Sequence, residues 1–279
     1  MDKKADFLKW IIGLFFLSCS VGAYPQFFEQ NPKVLDTAAL VVTYSHLWKE
    51  DTLNPDFPGQ EDILLMLGKT TSQFMSKNFH QRRVVGRRME REGKLDEYLN
   101  SPFSERVYSR FTYVIYKNYP PGKITYINRI IPSTFEYTEA MDIFKWALGN
   151  EFADILGYKV QKATTRYGGR DWIAWFSSEI PYNDGPYKFC GLPGLILKLN
   201  DAEEHYVFEA VAIERPDETV LLEISKRDRV VTTRIKYLQA EENFRSDIIS
   251  RGKDAGMSNK TQQIMARNML KRNNPIELE

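Results

Sequence analysis

The chain has 279 residues, 38 Lys and Arg against 37 Asp and Glu, and two cysteines. Balanced charge lacks the basic footprint of a nucleic-acid binder, and two cysteines cannot staple a scaffold. The core must therefore be held by buried apolar surface, for which this length suffices.

Residues 1–23 follow the order of a secretory signal peptide. They have three lysines in a polar start, an apolar run from Trp10 to Leu17, and small residues ending Val21-Gly22-Ala23. Cleavage after Ala23 is one route. Lipidation at Cys19 is the other, because Phe16-Leu17-Ser18-Cys19 approximates a lipoprotein box. Either predicts an exported chain, periplasmic or outer-membrane-associated, with Cys190 as its lone thiol. The apolar run is shorter than the about 20 residues of a membrane helix, and no later segment offers one, so no transmembrane segment is expected in the mature chain.

Residues 24–36 are polar, contain Pro25 and Pro32, and read as a flexible lead-in to a single domain over 37–279. Val41, Val42, Thr43 and Tyr44 mark a strand within 37–49, and Glu61 to Leu67 with Thr70 to Ser76 flank Gly68-Lys69 as a hairpin. Asn78 can cap a helix over 79–99, which Pro102 forbids from continuing. From Val107 the apolar period becomes two, and Pro120-Pro121-Gly122 turns that strand into a partner over 123–131. A short strand at 134–137 and a helical turn or two over 139–148 follow.

Tyr158 to Arg166 and Asp171 to Ser178 form a hairpin closed by Gly168-Gly169, where glycine supplies positive φ. Along its second strand Trp172, Ala174 and Phe176 share one face, whereas Ile173 and Trp175 share the other. After an irregular crossing, strands are expected at 195–199, 205–214, 218–225 and 229–237. Helices over 238–250 and 259–272 precede a tail from Asn273 to Glu279. About ten strands joined by hairpins, with helices packed on them, define an α+β fold built on one extended, curved antiparallel sheet. A lipoprotein-carrier-like half-barrel has this pattern.

The hexapeptide Gly191, Leu192, Pro193, Gly194, Leu195 and Ile196 is preceded by Gly169-Arg170-Asp171-Trp172, Ala174-Trp175-Phe176, Glu179-Ile180-Pro181 and Gly185-Pro186-Tyr187-Lys188-Phe189. This ordered series resembles the GLPGLI family of exported Bacteroidetes proteins. The resemblance implies an envelope address and carries no established activity.

No P-loop, GxGxxG, GxSxG or paired metal-ligand motif occurs, and His46, His80 and His205 lie far apart. No metal or cofactor is expected, and no catalytic residue can be assigned. Arg170, Trp175, Glu179, Tyr187 and Lys188 combine aromatic rings, a guanidinium, an ammonium and a carboxylate in one segment, the composition of an amphipathic ligand pocket. The competing reading is that the tryptophans are core and the hexapeptide is a backbone device. Two functions stand open: a non-enzymatic envelope protein that binds an apolar or peptide ligand or an outer-membrane partner, and an envelope hydrolase whose site is not recognisable. A cavity with convergent polar groups would favour the hydrolase.

Overall fold

The computed structural model describes residues 27–53, 58–101, 107–254 and 256–279. The expected signal sequence, with Cys19, and the turn-rich residues 54–57 lie outside them. Strands are β1 (Lys33–Thr37), β2 (Leu40–Trp48), β3 (Gly59–Leu67), β4 (Ser72–Ser76), β5 (Val114–Lys117), β6 (Lys123–Ile130), β7 (Ser133–Ala140), β8 (Ala147–Ile155), β9 (Tyr158–Tyr167), β10 (Arg170–Ser177), β11 (Leu195–Asp201), β12 (Tyr206–Glu214), β13 (Leu221–Ile224) and β14 (Val230–Val231). Helices are α1 (Lys77–Arg91), α2 (Leu95–Asn100), α3 (Arg234–Ser246), α4 (Ile248–Asp254) and α5 (Asn259–Leu270). Twelve strands form one sheet in the order β14-β7-β6-β5-β4-β3-β2-β12-β11-β10-β9-β8, antiparallel except for β14 beside β7.

This sheet is an open, strongly curled trough. Strands β7 and β9 are nine positions apart, which on a flat sheet means over about 40 Å at ~4.8 Å per strand. Yet the hydroxyls of Tyr137 on β7 and Tyr167 on β9 lie 2.8 and 2.9 Å from the same Lys188 Nζ. Among the described residues no ladder joins β8 to β7 or β14, so the curl stops short of a closed barrel. Inside it, alternate residues of each strand form the main core, including Tyr44, Leu65, Phe74, Ile115, Trp172 and Phe208. Outside, the two-stranded β1–β13 sheet seals Met66, Met75, Val114 and Tyr116 in a second core.

Several elements differ from the sequence reading. Residues 33–37 form β1, where the lead-in was placed, because β13 offers them an edge. The expected helix over 79–99 is broken at Gly93, whose φ of +69° ends α1 before α2 begins, and Ser76 rather than Asn78 caps α1 by accepting from Phe79 N. The helical turns expected over 139–148 are replaced by one 3-10 turn at Met141–Ile143 and by β8. Residues 229–237 give only the two-residue β14 before α3 begins at Arg234.

The Gly/Pro-paced crossing from 178 to 194 fills the trough. Ile196 N donates to Asp184 O (2.9 Å), and Lys117 Nζ on β5 reaches Asp184 together with the carbonyls of Gly185 and Phe189. Leu192, Leu195 and Ile196 are buried. Gly194 holds φ +154° with Ser177 O 2.1 Å from where a Cβ would stand, so backbone passes against backbone there and no side chain fits. Cys190 is buried too, and burial pushes its thiol up to about 12, which makes it an inert packing residue.

Candidate functional site: a caged lysine and the cavity beside it

Lys188 leaves the crossing as a fully buried ammonium. Its Nζ meets Glu139 and Glu277 at 2.6 Å each, besides the hydroxyls of Tyr137 and Tyr167. The rings of Tyr126, Tyr137, Tyr167 and Tyr187 surround it at 4.8–5.5 Å from their centroids, within cation–π range. Burial alone would raise the Glu277 carboxyl, but Lys188 and then Arg234 outweigh it and hold it below the ordinary value. Tyr187 donates to the same carboxylate. Glu277 thus brings the C-terminal tail into the trough, although it lies 89 residues from Lys188 in the sequence.

Arg170 fixes the same tail from the other side. Its guanidinium pairs with Asp201 at 2.7 Å and donates to the carbonyls of Pro275 (2.7 Å) and Ile276 (3.1 Å) and to Asn274. The Gly168-Gly169 turn packs on Glu277 and Leu278, and Leu278 N donates to Gly168 O at 2.8 Å. Of the five residues singled out for a ligand, Arg170, Tyr187 and Lys188 are therefore brought together, and what they hold is the tail. Trp175 and Glu179 lie elsewhere. Trp175 points out of the trough beneath Lys162 (5.9 Å), and exposed Glu179 accepts from Lys159 N. Trp172 is inside, 1% exposed, with Ala174 and Phe176.

Next to the caged lysine is a cavity of about 320 Å³ between the trough floor, α3, Met269, Arg272 and the tail. Its walls include many rings, among them Trp48, Phe111, Tyr113, Tyr126, Tyr206 and Tyr237. His46 also lines it, stacked flat on Phe208 at 4.0 Å, and neither ring nitrogen has a hydrogen-bond partner among the described residues. Burial drives His46 down to about 3, so it is neutral. Arg245 Nε, on the cavity's helical side, is the other kind of buried polar atom without a partner among the described residues. Arg110, Arg129 and Arg272 stand around the same cavity with Glu50 and Glu241.

The residue types of a serine hydrolase do gather nearby, and their geometry decides against that use. Ser76 and Ser109 both donate to Glu61, whose other oxygen accepts from Arg110 N at 2.8 Å. His46 is Glu61's cross-strand neighbour yet bonds to none of them. A triad needs the imidazole between nucleophile and carboxylate; here the carboxylate takes both serines directly, and Ser76 is committed to capping α1. Among the described residues, Asp201, Glu203 and His205 offer metal-ligand atoms within 4.8 Å, but Asp201 is engaged by Arg170 and by Tyr206 N.

Residues 169–198, which include the whole crossing and the hexapeptide, match the family described as "Protein of unknown function (Porph_ging)". Comparison with curated proteins gives no match. Among solved structures, "Structure of PNGF-II in P21 space group" is similar at a TM-score of 0.52 and 14% identity, over 76% of this chain and 34% of that one. Its counterpart in the C2 space group gives 0.48 at the same identity and coverage. The chain thus spans about a third of that structure's length, and the likeness concerns the fold alone.

Of the cavity residues, sequence reasoning singled out Tyr187, from the crossing. The others come mostly from β2, β6, β7, β12, α3, α5, the tail and the segment before β5, so no local motif announces them. The signal within reach was compositional: histidine and tryptophan at 46 and 48 on one strand face, and Phe111 with Tyr113 in the segment just before β5.

Proposed function

We propose that the chain is an exported, non-enzymatic envelope protein of the GLPGLI kind that binds a small amphipathic ligand in the aromatic cavity. The observation that carries this reading is a partly open cavity of about 320 Å³ lined by aromatic rings and by charged and polar side chains. That is the low end of the about 300–1,000 Å³ of small-molecule sites. The hydrolase alternative wants nucleophile, base and oxyanion donors converging on one point, and the serines near this cavity are consumed by Glu61. Export is supported by the n, h and c order of residues 1–23.

Calorimetric titration with three naphthyl probes tests the reading: neutral 1-naphthamide, anionic 1-naphthoate and cationic 1-naphthylmethylammonium. Saturable 1:1 binding of at least one is expected. Failure of all three to bind would overturn it. Intact mass of the protein from a secreting host tests the address, with loss of residues 1–23 or a lipidated Cys19 expected and retention of the segment contrary.

A further inference from the structure

We infer that the cavity selects a compact aromatic oxyanion, such as an aryl carboxylate, with its anionic head on the arginine side and its ring among the tyrosines. This rests on the binding reading above and specifies the ligand's charge and shape.

Charge comes first. Four arginines line the cavity, Arg110, Arg129, Arg245 and Arg272, against Glu50, Glu241 and Glu277. Glu277 is already matched outside the cavity by Lys188 and Arg234. Arg110 and Arg272 share the single carboxylate of Glu50. Exposed Arg129 forms no ion pair among the described residues, and Arg245 pairs with Glu242, whose side chain is 67% exposed and screened by water, besides acting on Glu241. The local field is positive. Burial first, and Arg110 next, depress the Arg272 guanidinium accordingly, while burial raises the Glu241 carboxyl and weakens it as a counter-charge.

A second observation is independent of the charge count. Arg245 Nε is a buried donor without an acceptor, and His46 is a buried imidazole with an idle donor and an idle acceptor. Buried polar atoms are normally satisfied by protein or by ordered water. An oxyanion accepts from guanidinium N–H groups with planar complementarity, which an ammonium or amide ligand lacks.

Shape follows from the walls. Trp48 meets Phe111 edge-on at 4.7 Å, Tyr126 meets Tyr237 edge-on at 5.3 Å, and Tyr113 stacks with Tyr126 at 5.6 Å. These rings present faces and edges to the space between them, to which a flat ring is complementary. The compact volume disfavours a long alkyl chain.

The same probes decide the matter. 1-Naphthoate should bind about ten-fold or more tighter than 1-naphthamide, the difference of one charged hydrogen-bonding head, and tighter than decanoate. Arg129→Gln, at an exposed position that bears no structural pairing, should weaken naphthoate several-fold and leave naphthamide unchanged. Arg245→Gln should do the same more strongly, provided circular dichroism shows it folded. Naphthamide binding as tightly as naphthoate would overturn the anionic head while leaving the binding reading intact. Decanoate binding more tightly than naphthoate would overturn the aromatic body. Binding by none of the probes would instead sink the parent reading.

Discussion

The caged lysine and the cavity share walls, Tyr126, Tyr137, Tyr187 and Glu277 serving both, and differ in one respect. Around Lys188 the buried charges are answered within the chain: two carboxylates and two hydroxyls take the ammonium, and Arg234 takes the second side of Glu277. Across the shared tyrosines, His46 and the Nε of Arg245 are left unanswered. A saturated polar cluster fixes the register of the parts that meet in it, here the crossing, β7, β9 and the tail. An unsaturated one of similar burial is where, on the proposed binding reading, a group from outside would complete the structure.

The comparison breaks most directly at Lys188. Lys188→Met leaves Glu277 buried with one of its cations gone, and removing one partner of a buried pair costs about 3–5 kcal/mol. Urea unfolding should show that loss, and Lys188→Met combined with Glu277→Gln should recover part of it. A single variant within about 1 kcal/mol of the parent would mean that the cage is not the lock described.

Trp172 and Trp175 sharpen the contrast between inside and outside. Trp172→Ala should cost about 3–5 kcal/mol as a core truncation. Trp175→Ala, half-buried on the outer face, should cost about 1–2 kcal/mol. Equal large losses in chemical unfolding would put both rings in cores. In the hexapeptide, Gly194→Val forces a side chain onto Ser177 O and should cost about 3 kcal/mol from overpacking and strain. At Gly191, φ +92° with only Trp146 Nε1 at 4.0 Å, the strain of alanine alone applies, about 1–2 kcal/mol. Thermal melts of the two variants rank them.

What could be read from the sequence was what repeats over short distances. The two-residue alternation from Arg170 to Phe176 places Trp172 inside, and Gly168-Gly169 marks the hairpin beside it. Strand β8 was invisible because most of its residues are exposed, which leaves no alternation to detect. The tail was invisible for a different reason: Asn274 and Glu277 are polar, and they are buried only because Arg170 and Lys188 wait for them about a hundred residues upstream. Arg170 and Lys188 stand out by composition, but composition cannot tell a cation awaiting a ligand from one that holds its own chain.

His46 gives the smallest effect and the one most specific to the unsaturated side. Replacing an unsatisfied buried polar ring by an apolar ring of similar shape removes a desolvation penalty of about 1–3 kcal/mol, and Phe at this position keeps the stack on Phe208. His46→Phe should therefore be stabilising by about 1–2 kcal/mol in the ligand-free protein at neutral pH. The pH dependence fixes the cause. The folded-state value of about 3 lies below the ordinary 6.5, so the unfolded chain binds a proton that the fold refuses, and the parent loses stability as pH falls from about 6.5 toward 3. The slope from this one group approaches about 1.4 kcal/mol per pH unit, and His46→Phe should lack that component, so the gap between the two proteins widens on acidification. Urea titrations at pH 7.5 and 5.0 measure it. A gap that stays constant, or a variant less stable than the parent at both values, would show that His46 already has a partner in solution, and the cavity would then lose its strongest sign of incompleteness.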